Sequence, residues 1–203
     1  AHMEAQRLEI LQNVRKIWFK SPLGLVGCFF SGLANASFWA MIPIFYVDQY
    51  RSMAALPFFV VTYLAGGTLS QFPVGWLSDR IDRRKVLIFV SLLAILASAI
   101  VTWSTHQEGL FRETIWLGLF LFGICSIPIY SISIAHANDQ AQSMNFVNMS
   151  SVLLIANSVG SISGPVISAQ VIQAFGSQNL FAFIGSVHFA LFTYCTYRVI
   201  VKK

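Results

Sequence analysis

Six stretches of this chain are as long as a membrane-crossing helix and carry no Asp, Glu, Lys or Arg well inside them: residues 23–47, 53–78, 86–104, 114–135, 150–174 and 179–198. About 20 apolar residues in helix cross a bilayer. Within hydrocarbon every backbone N–H and C=O must find an internal partner, which leaves only helices and closed barrels. A barrel strand alternates apolar and polar positions over about ten residues, whereas these runs are about twice that long and do not alternate. The expected fold is therefore an all-α membrane protein with six transmembrane helices. Composition points the same way, because 203 residues that are 56% hydrophobic and 10% charged hold too little polar surface to coat a water-soluble globule. Polar residues crowd 126–151, so the fourth helix is expected to continue past the bilayer into a polar connection.

Six crossings put both chain ends on one side, together with the second and fourth loops. The basic residues follow that division. Arg7, Arg15, Lys16 and Lys20 lie in the N-terminal arm, Arg80, Arg83, Arg84 and Lys85 in the second loop, and Arg198, Lys202 and Lys203 in the tail; only Arg51 and Arg112 fall on the other side. The excess marks the arm, second loop and tail as cytoplasmic. The net charge of +5 is accounted for by this flanking pattern, so no nucleic-acid partner is implied. Ala1-His2-Met3 reads as a cloning remnant. Residues 4–20 place Leu11, Val14 and Trp18 on one helical face, flanked by Ile10 and Ile17, which suits an amphipathic linker helix on the cytoplasmic leaflet; a solvated linker is the blander alternative. The six-helix domain then occupies 21–203. Cys28, Cys125 and Cys195 each sit in an apolar run and read as small buried hydrophobes.

Polar groups inside the runs are the functional candidates. Ser31, Asn35 and Trp39 recur every four residues in the first run, as do Phe122, Ser126 and Tyr130 in the fourth. Such mixed faces suit a cavity for a partly polar solute, in which aromatics give contact area and polar groups fix orientation. Ser and Asn are equally ordinary as interhelical hydrogen-bonding groups. With no Asp, Glu, Lys or Arg well inside a run, only His188 could serve as a proton relay there, and its alternative role is an imidazole bonded between helices. Gly160 and Gly164, with Pro165 beside them, and the Gly66-Gly67 pair ahead of Gln71 and Pro73, mark sites of close helix packing. No catalytic residue, metal ligand or cofactor is expected. A six-helix intramembrane serine protease is the alternative from another class, with Ser161 or Ser163 beside Gly164 and His188 as base. Its Gly-x-Ser-Gly motif fails, because Ser161 stands where the first Gly belongs. A non-transporting membrane scaffold fragment is a third.

The segment Gly75-Trp-Leu-Ser-Asp79-Arg80-Ile-Asp82-Arg83-Arg84-Lys85 resembles the pattern Gly-x-Leu-x-Asp-Arg-x-Gly-Arg-Arg/Lys-Arg/Lys of the major facilitator superfamily, carried there by the loop between a half's second and third helices. Asp82 departs from it, standing where the family has Gly. Ser21-Pro-Leu-Gly24, the Ser31-Gly32 step and Gln71-Phe-Pro-x-Gly75 are similar to the C-terminal six helices of the bacterial YcaD-like carriers of that superfamily. The resemblance implies one half of a major facilitator fold, built of two inverted three-helix repeats and working as a secondary active transporter by alternating access. It implies that Ser31, Asn35, Trp39, Ser126 and Tyr130 line the substrate cavity. It makes Gly75, Asp79, Arg80, Arg83 and Arg84 a cytoplasmic latch, with Lys85 an anchor. The implied surroundings are the bacterial inner membrane, with both termini cytoplasmic. The implied partners are the lipid bilayer, a small-molecule substrate, and either a missing N-terminal half or a parallel homodimer. Any proton-coupling carboxylate would lie in the missing half.

Overall fold

The computed structural model describes residues 14–15, 17–140 and 146–201, so residues 1–3, most of the 4–20 arm, Lys202 and Lys203 lie outside the described part. Every regular element among the described residues is helical. The long helices are α1 (Pro22–Tyr50), α2 (Leu56–Arg80), α3 (Arg83–Ser104), α4 (Thr114–Ser126), α5 (Pro128–Gln140), α6 (Phe146–Phe175) and α7 (Leu180–Val201). Short 3-10 turns at Gly109–Glu113 and Ser177–Asn179 precede α4 and α7.

Local chemistry sets these limits. Pro stands in the first turn of α1 and of α2, where its missing N–H is no loss. Asp82 caps α3 by accepting from the Arg84 N–H at 2.9 Å. At the far end of α1, Arg51 takes a left-handed φ of 56° and returns its N–H to the Val47 carbonyl. Gly176, at φ 89°, closes α6 in a conformation that glycine adopts without penalty. Pro128 has no N–H to offer the preceding turn, so the fourth run divides at Ile127 into α4 and α5.

Among the described residues, five helical stretches are long and apolar enough to cross a membrane: Pro22–Tyr50, Arg83–Ser104, Thr114–Gln140, Phe146–Phe175 and Ser177–Val201. Five of the six expected runs thus meet this measure of length and composition. The remaining candidate, α2, has 25 residues, but Gly66, Gly67, Ser70 and Gln71 interrupt its apolar character. It also runs on through Asp79 and Arg80, so these two residues are helical and only Ile81 and Asp82 form the connection to α3.

The helices pair by close approach. The largest contacts are α1 with α6, α3 with α7, and α2 with α4; α3 with α4 and α1 with α5 come next, followed by α1 with α7. A Cβ on Gly160 would stand 2.1 Å from the Phe29 carbonyl oxygen, and one on Gly164 2.4 Å from that of Leu33. At the α2–α4 crossing a Cβ on Gly123 would meet the Tyr63 carbonyl oxygen at 2.0 Å. Backbone contact of this kind holds helices together where the solvent is as apolar as the side chains. The centre is aromatic, with Phe38, Phe45, Phe59, Tyr63, Phe122 and Phe181 all buried. Large apolar side chains such as Phe72, Ile162, Phe189 and Ile200 are exposed on the outside. Of the arm, residues 17–20 are helical, and Ile17 is buried beside Cys28 and Leu153, docking that end onto α1 and α6.

Candidate functional site

A cavity of about 330 Å³ opens between α1, α2, the α4–α5 break and α6. One wall is a line of hydrogen bonds. The Asn35 Nδ2 donates to Ser31 Oγ at 3.2 Å, and the Tyr63 hydroxyl on α2 donates to Asn35 Oδ1 at 2.8 Å. The Asn35 amide thereby has its orientation fixed, because it must present nitrogen to one partner and oxygen to the other. Trp39, one turn further along α1, is half exposed and packs edge-on against Tyr63 at 6.0 Å between centroids. Across the opening stand Tyr130 and Ile127 of the fourth run, and Asn157 and Ser161 of α6. Asn157 Nδ2 donates to the Cys28 carbonyl at 3.1 Å. Among the described residues, no charged side chain lines this space.

Four of the five expected cavity residues, Ser31, Asn35, Trp39 and Tyr130, thus meet on one cavity, and Ser126 does not. Its side chain turns into the core, 3.4 Å from His188 Nε2. The other ring nitrogen of His188, Nδ1, lies 2.9 Å from the Ile184 carbonyl oxygen. A carbonyl only accepts, so Nδ1 donates to it, and in the neutral ring Nε2 accepts from the Ser126 hydroxyl. His188 is buried, with Phe122 edge-on at 5.6 Å. The serines weighed as nucleophiles are placed elsewhere: Ser163 donates to the Val159 carbonyl and Ser161 to that of Gly32. Tyr63, Asn157 and Ser161 were not expected in the cavity. The last two lie four apart, the spacing that singles out Ser31 and Asn35, so the same criterion would have found them.

The charged end of the bundle is a second organised region. Arg83 reaches Asp79 at 2.9 Å on α2, Asp139 at 2.5 Å on α5 and Ser78 Oγ at 2.7 Å, tying three helices together. Asp139 was missed in the sequence, where it is a lone carboxylate in a polar stretch. Arg84 forms a two-oxygen pair with Asp82, its Nη2 at 2.9 Å. Burial pushes the Asp82 carboxyl up, but the hydrogen bonds and charge of Arg84 outweigh this and hold it below its ordinary value. Asp82 has φ −55°, an ordinary backbone angle, so the connection does not require the Gly of the family pattern. Arg80 stacks 4.0 Å above the Trp76 ring. Around Gly75 there is open space, with no atom within 4 Å of where a Cβ would stand.

A family model described as Major Facilitator Superfamily matches residues 24–202. The chain belongs to the major facilitator superfamily. It is 30% identical over 170 residues to the "Uncharacterized MFS-type transporter YcaD" of Escherichia coli O17:K52:H18, a match covering 84% of this chain and 42% of that protein. The protein of the same description from Salmonella arizonae is 29% identical over 170 residues, again with 84% and 42% covered. The chain therefore spans less than half the length of the relatives it matches. It is a multi-pass membrane protein of a transporter superfamily, with lipid as its solvent.

Proposed function

We propose that this chain forms one half of a secondary active transporter that moves a small, uncharged, partly polar solute by alternating access. The observation that carries the reading is the cavity wall of Ser31, Asn35, Tyr63 and Trp39: oriented hydrogen-bonding groups beside aromatic faces, with no charged side chain among the described residues that line the space. A charged solute would be left without a counter-ion there. Two inverted repeats, α1–α3 and α4–α7, are supported by the helix contacts. Exchanging α1 with α4–α5, α2 with α6, and α3 with α7 turns the α1–α6 contact into the α2–α4 contact and α1–α7 into α3–α4, and leaves α3–α7 in place. All six runs then cross the inner membrane with both termini cytoplasmic. The tie from Arg83 to Asp79 and Asp139 holds the cytoplasmic end of this half as one body, and the exposed Asp79 and Arg80 face the other half as a latch. The partner is a second six-helix half, because the matched relatives extend well beyond the region they share with this chain.

With no carboxylate in the cavity wall and His188 engaged by Ser126 and the Ile184 carbonyl, proton coupling is assigned to the other half. The test is a thermal-shift screen of the whole protein against neutral, partly polar solutes, repeated with Asn35→Leu and Trp39→Ala. A solute that stabilises the parent should lose its effect in both variants. A stabilising solute that ignores both substitutions would move the binding site elsewhere. Proton-driven uptake abolished only by His188→Ala would overturn the placement of the coupling group.

A further inference from the structure

Two buried polar groups stand behind the cavity wall and do not line the cavity itself: Ser126 on α4 and His188 on α7. They continue the hydrogen bonds of the wall into the core. His188 Nε2 lies 3.4 Å from the Ser126 hydroxyl, and that hydroxyl is also a hydrogen-bonding neighbour of the Tyr63 hydroxyl. Tyr63 in turn donates to Asn35 Oδ1 at 2.8 Å. Phe122 touches both ends of this line, stacked against Tyr63 at 5.7 Å between centroids and edge-on to His188 at 5.6 Å. Ser126, Tyr63 and His188 are all buried, where a donor or acceptor left without a partner is costly.

The line holds more acceptors than hydrogens. His188 Nδ1 gives its hydrogen to the Ile184 carbonyl, 2.9 Å away, which leaves Nε2 of the neutral ring able only to accept. Between Nε2 and Asn35 Oδ1 the hydroxyl hydrogens of Ser126 and Tyr63 are then all there is to share. With the Ser126 hydrogen on Nε2 and the Tyr63 hydrogen on Asn35, the two hydroxyl oxygens face each other with no hydrogen between them. Turning the Tyr63 O–H from Asn35 to Ser126 fills that gap and moves a single hydrogen. Asn35 Oδ1 is thereby released to accept from another donor.

Resting on the reading of this cavity as a solute site, we infer that Tyr63 is a two-position donor, made so by His188, and that the solute presents a neutral N–H or O–H to the Asn35 carbonyl. Tyr63 donates to Asn35 until a solute donor takes its place there, and then turns to Ser126. His188 acts as a positioning residue. Without an acceptor at its Nε2 the Ser126 hydrogen turns to the Tyr63 oxygen, and the Tyr63 hydrogen stays on Asn35.

The whole protein, isotopically labelled at asparagine nitrogen, is titrated in detergent with benzamide, a neutral solute with an N–H donor, and with N,N-dimethylbenzamide, which has none. The side-chain amide resonance that disappears in Asn35→Leu is the one to follow. Benzamide should shift it saturably, with an apparent affinity about tenfold higher than that of its dimethyl analogue, the worth of one hydrogen bond. His188→Leu and Ser126→Ala should each abolish that preference. His188→Gln should restore it, because a glutamine carbonyl accepts from Ser126 yet carries no titrating proton. Packing lost at a merely structural residue would weaken both amides alike and leave their ratio unchanged. No shift with either amide, or equal affinities in the parent, overturns the donor assignment. A preference that survives His188→Leu or Ser126→Ala overturns the role of His188, as does His188→Gln behaving like His188→Leu. Uptake enters none of these readouts, so the transport reading and the two-position donor fail independently.

Discussion

Asp82 has two separable roles. Its Oδ1 caps α3 through the Arg84 N–H, and its charge pairs with the Arg84 guanidinium. Asparagine keeps the first role and removes the second; alanine removes both. Asp82→Ala should therefore destabilise the protein by about 1–2 kcal/mol, and Asp82→Asn by about 0.5 kcal/mol, because the pair is partly exposed to solvent. The carboxyl titrates below its ordinary value of 3.8 in the folded state, so its stabilising effect is complete above that value and is lost as pH falls through the lower, folded one. Thermal unfolding at pH 7 and at pH 3 checks the sign: the deficit of Asp82→Asn should shrink at the lower pH. At this scale the sequence was legible where one straight helix carried the pattern. Ser31, Asn35 and Trp39 repeat every four residues and share a cavity wall because α1 is unbroken through them. The same repeat misleads at Phe122, Ser126 and Tyr130. Phe122 and Ser126 turn into the core, while Tyr130, one turn on and past the interruption at Ile127, lines the cavity. Which side of a helix faces the core and which the cavity depends on the packed neighbours, and a repeat of four within one helix does not encode them.

Among the helices, the strongest constraint is the pair of crossings at which glycine backbones touch carbonyls. A methyl group on Gly123 would need to stand 2.0 Å from the Tyr63 oxygen, and one on Gly160 2.1 Å from the Phe29 oxygen. The obstacle is backbone in both cases, so a rotamer change cannot relieve it. Gly123→Ala and Gly160→Ala should each cost about 3 kcal/mol, at the upper end of what overpacking costs. Gly75→Ala meets open space and should fall within about 0.5 kcal/mol of the parent or stabilise α2 slightly, since alanine favours helix. Unfolding midpoints of the three variants in one detergent decide this, and an equal loss in all three would refute the packing account. Element type was readable, because uninterrupted apolar runs admit only helix in a bilayer. Element ends were less so: charge marks where hydrocarbon must stop, whereas a helix continues until its backbone loses partners. That is why α2 carries Asp79 and Arg80 beyond the last apolar residue and why Asp82 starts α3 so soon after.

For the molecule as a whole, the open question is whether α2 crosses the membrane, since on length and apolar composition it is not among the five stretches that qualify by themselves. Its polar interruptions give a physical reason to expect that it does. Gly66, Gly67 and Ser70 are buried against the bundle, with the Ser70 hydroxyl satisfied by the Gly67 carbonyl, so three of the four interruptions face protein, and Gln71 is the one that is exposed. The flanking charges agree, with Arg51 before α2 and the four cations from Arg80 to Lys85 after it. If α2 crosses, Ser52 and Ile81 lie on opposite faces, and Glu108, beyond α3, returns to the face of Ser52. All three are exposed, while Cys28, Cys125 and Cys195 are buried, so a membrane-impermeant maleimide should react mainly with an introduced cysteine. In right-side-out vesicles Ser52→Cys and Glu108→Cys should label and Ile81→Cys should not; inverted vesicles should reverse the pattern. Labelling of Ser52→Cys and Ile81→Cys from the same face would remove α2 from the crossings. It would also break the exchange of α2 with α6 on which the two-repeat half depends, because a helix lying along one face cannot mirror one that spans.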